Sequence, residues 1–177
     1  MVENELANPE SIVKIYHGRD PDFSPEREPS DSNVLESLGI YDRYIFTCGS
    51  LFPYRKCEDV IRAFSLVEDS KLKLAVAGSG NDGRYKEFLE GVITDSGLNG
   101  RVLLLGHVPQ SQIIVLYRNC TVFVSATECE ACPNIAIEAM SSGCRIVSSN
   151  VMPLPEIFQD AASYYPVGDI EQMAAKM

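Results

Sequence analysis

Residues 121–149 read T-V-F-V-S-A-T-E-C-E-A-C-P-N-I-A-I-E-A-M-S-S-G-C-R-I-V-S-S, and the fold follows from how this stretch changes its period. Thr121–Ser125 is a short run rich in β-branched and aromatic residues, suited to a strand buried on both faces. Pro133 is placed to open a helix, because a first-turn residue has no use for its missing N–H. A helical pattern over Asn134–Ser142 follows, and Arg145–Ser148 reads as a strand again. Strand, loop, helix and strand joined by short links make one right-handed βαβ unit.

Working outward, the same alternation recurs. Strands are expected at Tyr44–Cys48, Leu72–Ala77 and Val102–Leu105, with helices near Glu58–Val67, Arg84–Ser96 and Ser111–Arg118. The fold class is therefore α/β: a Rossmann-like, doubly wound parallel sheet with helices on both faces. Ahead of it, Ile12–Tyr16 reads as a short strand and His17–Ser30 as a Pro-rich loop. A short helix over Asn33–Leu38 is expected to be capped by Asp31 or Ser32 and stopped by Gly39. One domain over residues 1–177 is expected, with a leading strand, loop and short helix in 1–42 and the main βα units in 43–177. The last residues, E-Q-M-A-A-K-M, fall inside a helical pattern with no stop signal, as expected of a chain cut from a longer protein.

Composition narrows the function. The 177 residues are 45% hydrophobic and 23% charged, ordinary for a globular protein. A net charge of −10 speaks against general nucleic-acid binding, which needs a basic face. Any anionic ligand must then be held by local cations or by backbone dipoles. No apolar run approaches membrane-spanning length, and the first ten residues lack the basic and apolar regions of a signal peptide. Six irregularly spaced cysteines are expected to be reduced thiols in a cytoplasmic protein.

In doubly wound sheets ligands bind beyond the carboxyl ends of the strands, and four loops lie there. Gly49 and Ser50 allow a close backbone approach, and Arg55 and Lys56 stand just before a helix, where two cations oppose the macrodipole and suit a diphosphate. A-G-S-G-N-D-G (77–83) is a tight turn without the third glycine of a dinucleotide fingerprint. In G-H-V-P the backbone of His107 and Val108 could read a base edge. In E-A-C-P-N-I-A-I-E, Glu130 and Glu138 bracket a helix N-terminus, a combination suited to phosphate and sugar hydroxyls. Spacing alone equally allows a solvent-facing Glu138 and a dipole-stabilising Glu130.

Two rival constellations compete. Cys129-x-x-Cys132 lies where thioredoxin-like dithiols sit, but the chain has too many parallel units for that small fold. Cys120 and Cys144 could complete a zinc set, although their expected places in sheet strands keep them apart. Asp20-Pro21-Asp22 mimics a metal-nucleotide motif and is better read as a proline-flanked turn.

Taken together, these blocks resemble the carboxyl-terminal half of group-1 (family 4) retaining glycosyltransferases of GT-B architecture. Glu130-x7-Glu138 followed by A-M-S-S-G-C-R-I-V-S-S is similar to the family's E-A-M-A-x-G-x-P-V-V-x-S, and P-L-P-E-I to its P-E-x-I element. G-S-L-F-P-Y-R-K is similar to G-R-L-x-P-x-R-K, and I-Y-H-G-R-D…F-S-P to N-G-V-D…F-x-P. V-L-L-L-G-H-V-P and L-Y-R-N-C-T-V-F-V-S-A-T-E resemble the two blocks between. The resemblance implies a hexosyl transfer with retention from a nucleotide-diphosphate sugar, such as a UDP- or GDP-hexose, to a glycan or lipid-linked acceptor. It implies that Lys56 contacts the diphosphate, Glu130 the transferred sugar and Glu138 the ribose, with the amides of Asn134 and Ile135 cradling sugar and phosphate. Lys56 and Glu130 would be the catalytic pair, and Gly49, Ser50, Arg55, His107 and Val108 would add to the donor site.

It also implies no metal or cofactor, an acceptor domain lying outside this chain, and peripheral membrane association of the full enzyme at the cytoplasmic face. The chain departs from the pattern at Ser50, which replaces a phosphate-binding arginine, at Ala131-Cys132 in place of Gly-Phe, and at His17 and Arg19. A non-catalytic nucleotide-binding module is the alternative that the Ser50 departure supports.

Overall fold

The computed structural model describes residues 8–13, 15, 17–80 and 83–177. Six parallel strands form one sheet: β1 (Tyr44–Cys48), β2 (Lys73–Ala77), β3 (Val102–Gly106), β4 (Val122–Ser125), β5 (Ile146–Ser149) and β6 (Ala162–Tyr165). Between them run α1 (Asp31–Ser37), α2 (Cys57–Ser65), α3 (Gly83–Asp95), α4 (Gln110–Asn119), α5 (Asn134–Ser141), α6 (Leu154–Phe158) and α7 (Ile170–Lys176). The strand order is β3-β2-β1-β4-β5-β6. Winding reverses between β1 and β4, so the loops leaving these two strands part and open a crevice at the sheet's carboxyl edge.

The period-2 alternation of each strand builds two apolar layers. Ile45, Leu74, Val76, Val122 and Val124 pack with Val60, Ile61 and Phe64 of α2, Leu89 of α3 and Met173 of α7. Tyr44, Phe46, Ala75, Ala77, Phe123 and Ile146 face the other way, onto Leu116 and Tyr117 of α4, Ala136 and Ala139 of α5, and Phe158. Full burial of each large side chain contributes about 1.5–3 kcal/mol, which is why short strands suffice.

Several expectations are corrected. Ile12, Val13 and Ile15 belong to no strand and are exposed, while Lys14 and Tyr16 lie outside the described residues. Their alternating pattern lacks a partner, because the sheet ends at β3 on one side and β6 on the other. The first helix begins at Asp31 with Ser30 as its N-cap, and no side chain caps it. Asp31 is instead buried against Arg118, whose Nε donates to it at 2.9 Å, and Asn119, whose amide donates at 2.8 Å. Cys120 and Cys144 lie in no strand: each stands just after a helix, and their sulfurs are 3.9 Å apart at the amino end of the sheet. Cys129 and Cys132 follow β4 at the opposite end, so the four thiols do not converge.

Candidate functional site

The crevice at the switch point is a cleft of about 740 Å³. Its floor is backbone. Gly49 N–H donates to the carbonyl of Ala77 at 3.0 Å, Gly78 N–H to Gly106 at 2.7 Å, and Leu51 N–H to Ser79 at 3.1 Å. The ladder thus continues past the strand ends as a narrow shelf, and only glycine permits it. A Cβ on Gly78, whose φ is +147°, would lie 1.8 Å from the Gly49 carbonyl oxygen.

Three of the four expected loops deliver wall residues to this cleft, and the fourth, after β2, lies in its floor. Gly49 and Ser50 come from the β1 loop, His107 and Val108 from the β3 loop, and Asn134, Ile135 and Glu138 from the start of α5. A fourth wall comes from the leading segment: His17, Gly18, Asp20 and Phe23. It is pinned at two points, by His17 Nδ1 against Asn134 Oδ1 at 2.6 Å and by Gln110, whose amide donates to Asp20 at 2.9 Å. Asp20 also accepts from Asp22 N–H at 3.0 Å, which makes Asp20-Pro21-Asp22 the turn that its proline suggests.

Glu138 does not face open solvent. The Tyr117 hydroxyl lies 3.1 Å from its Oε2 and 3.0 Å from the Cys48 sulfur. Burial pushes the Glu138 carboxyl above the ordinary glutamate range, with the nearby Asp20 charge adding to it and the Tyr117 bond partly offsetting it. Burial also pushes the Cys48 thiol up to about 12, so that it is inert at neutral pH. Pro133 is the N-cap of α5 and no side chain caps that end, so the first-turn amides of Asn134 and Ile135, both residues of the cleft lining, have no capping partner.

The two cations and the first glutamate are arranged differently from what spacing suggests. A 3-10 turn, Pro53–Arg55, precedes α2, and Lys56 takes the left-handed φ of 53° as that helix's N-cap. Arg55 forms an ion pair with Glu130, and Lys56 Nζ lies 3.0 Å from Glu128. The same loop is fastened to the turn: Glu128 N–H donates to the Tyr54 carbonyl at 2.9 Å, and the Thr127 hydroxyl lies 3.2 Å from it. Arg55 occupies a narrow recess that shares Cys48, Gly49, Ser50 and Ile135 with the main cleft. Glu130 and Lys56 are not in the cleft wall itself. Sequence reasoning missed Glu128, Tyr117 and the Asp20–Gln110 clasp. Only Glu128 left a trace, as the second carboxylate of T-E-C-E opposite adjacent cations.

The model of the family described as "Glycosyl transferases group 1" matches residues 35–177. Among curated proteins, the chain is similar to an uncharacterized glycosyltransferase of Methanocaldococcus jannaschii, 32% identical over 157 residues that cover 85% of this chain and 40% of that protein. It is also similar to the O-antigen chain mannosyltransferase B of Escherichia coli, 25% identical over 87% of this chain and 41% of the other. The chain therefore spans about two fifths of the length of the curated relatives it matches. Among solved structures, Anabaena HepE in complex with UDP-glucose superposes with a TM-score of 0.86 at 21% identity, over 98% of this chain and 48% of that one. That last likeness is one of fold.

Proposed function

This chain belongs to the group 1 glycosyl transferases, and we propose that it forms the donor-binding half of a retaining hexosyltransferase fed by a nucleoside-diphosphate sugar. The observation that carries this reading is the convergence of Gly49, Ser50, His107, Val108, Asn134, Ile135 and Glu138 on one cleft at the switch point. UDP-glucose in the complex of the similar HepE supports a donor of this class.

The base lies against the backbone of His107 and Val108, and the ribose hydroxyls donate to Glu138. The diphosphate crosses the Gly49-Ser50 shelf, where no side chain obstructs it, toward the α5 amides and Arg55 and Lys56. When the glycosyl bond breaks, charge grows on the departing phosphate oxygens. The amides there, together with the two cations drawn from their carboxylate partners onto the phosphates, stabilise that charge. Glu130 holds the hexosyl hydroxyls, and the scheme runs without a divalent ion. A further domain supplies the glycan or lipid-linked acceptor, at the cytoplasmic membrane face. Among the described residues no helix is long and apolar enough to cross a membrane.

The test is amide chemical-shift mapping of the 177-residue chain with UDP, GDP and their hexose conjugates. Perturbations are expected in 49–56, 107–108 and 130–138 and should be lost in Lys56→Ala and Glu138→Ala; unchanged spectra at millimolar ligand overturn the reading. Retention is checked separately, from the anomeric configuration of the product made by the longer enzyme.

A further inference from the structure

Resting on the reading of Arg55 and Lys56 as the diphosphate clamp, we propose that the chain carries its own occupant for that clamp: Glu128 and Glu130 stand in for the two phosphates until a donor displaces them. Two cations adjacent in sequence are each met by a carboxylate, and the two carboxylates are themselves two residues apart. Both acids come from one loop outside any helix or strand, and that loop hangs from the backbone of the very turn that presents the cations.

The guanidinium is only half satisfied by its present partner. Arg55 gives Nη1 to Glu130, while its Nε is buried without an acceptor. A buried N–H left unmatched is costly and is expected where the resting partner is a substitute for another one. A phosphate carries more acceptor oxygens than a carboxylate and can meet the Nε–H edge that Glu130, bound at Nη1, leaves unmatched. The guanidinium also stands beside the shelf: its Cζ would lie 4.0 Å from a Cβ built on Gly49.

The two pairs differ in exposure, which orders their release. Lys56 and Glu128 side chains are 26% and 44% exposed, against 23% and 9% for Arg55 and Glu130. The outer pair opens against water at little cost, whereas the inner one needs an anion to take over Arg55. Glu130 is then free to turn to sugar hydroxyls only after a diphosphate has arrived. Recognition of the two halves of the donor is thereby coupled: the phosphates unlock the acid that reads the sugar. Glu128 becomes a specificity residue that discriminates against ligands with too little charge to displace it.

Titration calorimetry on the 177-residue chain with UDP and GDP, and with UMP and GMP as single-phosphate controls, tests this. Glu128→Gln is expected to tighten whichever nucleoside diphosphate the parent binds by about 2–5-fold, with the monophosphates unchanged. Adding Lys56→Ala should abolish that gain. Glu130→Gln should tighten the free diphosphate by about 5–10-fold yet give the sugar conjugate no advantage over it. If Glu128→Gln, folded by circular dichroism, binds the diphosphate no more tightly than the parent, the stand-in is overturned while the donor site survives. If the parent binds diphosphate but Arg55→Ala and Lys56→Ala bind it equally well, the clamp itself is misassigned and the proposal goes with it.

Discussion

Glu138 is held in a state that favours its protonated form, and this has two opposed consequences. Its raised carboxyl means that the fold binds this proton more tightly than the unfolded chain does, so stability falls as pH rises above the ordinary glutamate value of 4.5. Glu138→Gln is expected to raise the melting temperature at pH 7 and to flatten that dependence, measured by calorimetry between pH 4 and 8. Nucleotide affinity should run the other way, weakening as pH falls through the same titration, because only the ionised acid accepts from both ribose hydroxyls; Glu138→Gln should bind weakly at every pH. Gly78 is the other residue whose chemistry is dictated by position. Gly78→Ala forces a methyl onto the Gly49 carbonyl and should cost about 2–3 kcal/mol in urea denaturation, with loss of nucleotide binding. Glu138 was legible as a candidate ribose-binding acid and Gly78 as part of a tight turn, but their contacts were not: Tyr117 reaches Glu138 from another helix, and Gly49 meets Gly78 from another strand's loop.

At the scale of elements, the leading segment is tied down by α1 packing on α4. Burial alone would raise the Asp31 carboxyl, but its bonds to Arg118 and Asn119 outweigh that and hold it below the usual range. A depressed carboxyl contributes stability that is present above its unfolded value near 3.8 and is lost as pH falls through the folded one. Asp31→Ala leaves Arg118, whose side chain is 8% exposed, with only the exposed Glu28 carboxylate at 3.2 Å, and should cost about 3 kcal/mol by urea titration. Strands β1 to β5 were readable because each is a short apolar run on a sheet covered on both sides. The edge strand β6, A-S-Y-Y, was not, since its outward side chains stay partly exposed and its period is masked. The pattern at Ile12, Val13 and Ile15 misled in the complementary way: it alternates like a strand, yet these residues are exposed and pair with neither edge of the sheet.

For the whole molecule, a net charge of −10 would set long-range repulsion against short-range attraction for the anionic donor proposed above. With a Debye length of about 8 Å at physiological salt, added salt screens the first more than the second. Stopped-flow association of UDP is therefore expected to quicken by about 2–3-fold between 0.02 and 0.15 M salt, while dissociation also quickens as the clamp contacts weaken. A salt-independent association rate would mean that the approach path is locally neutral. The fold class and the identity of the loops were legible from periodicity and motif. What the sequence could not convey was which charges find each other over a long separation, 75 residues for Arg55 and Glu130, and so the pairing of the Arg55–Lys56 turn with two carboxylates stayed hidden.

Residues 17–23 serve both as the lead-in to the sheet and as a side of the cleft, clasped to α4 and α5 through Gln110 and Asn134. A pull on the backbone at His17 would then be felt first by Asn134, at the N-terminus of α5. Displacement there can reach the cleft along this strap without bending any strand.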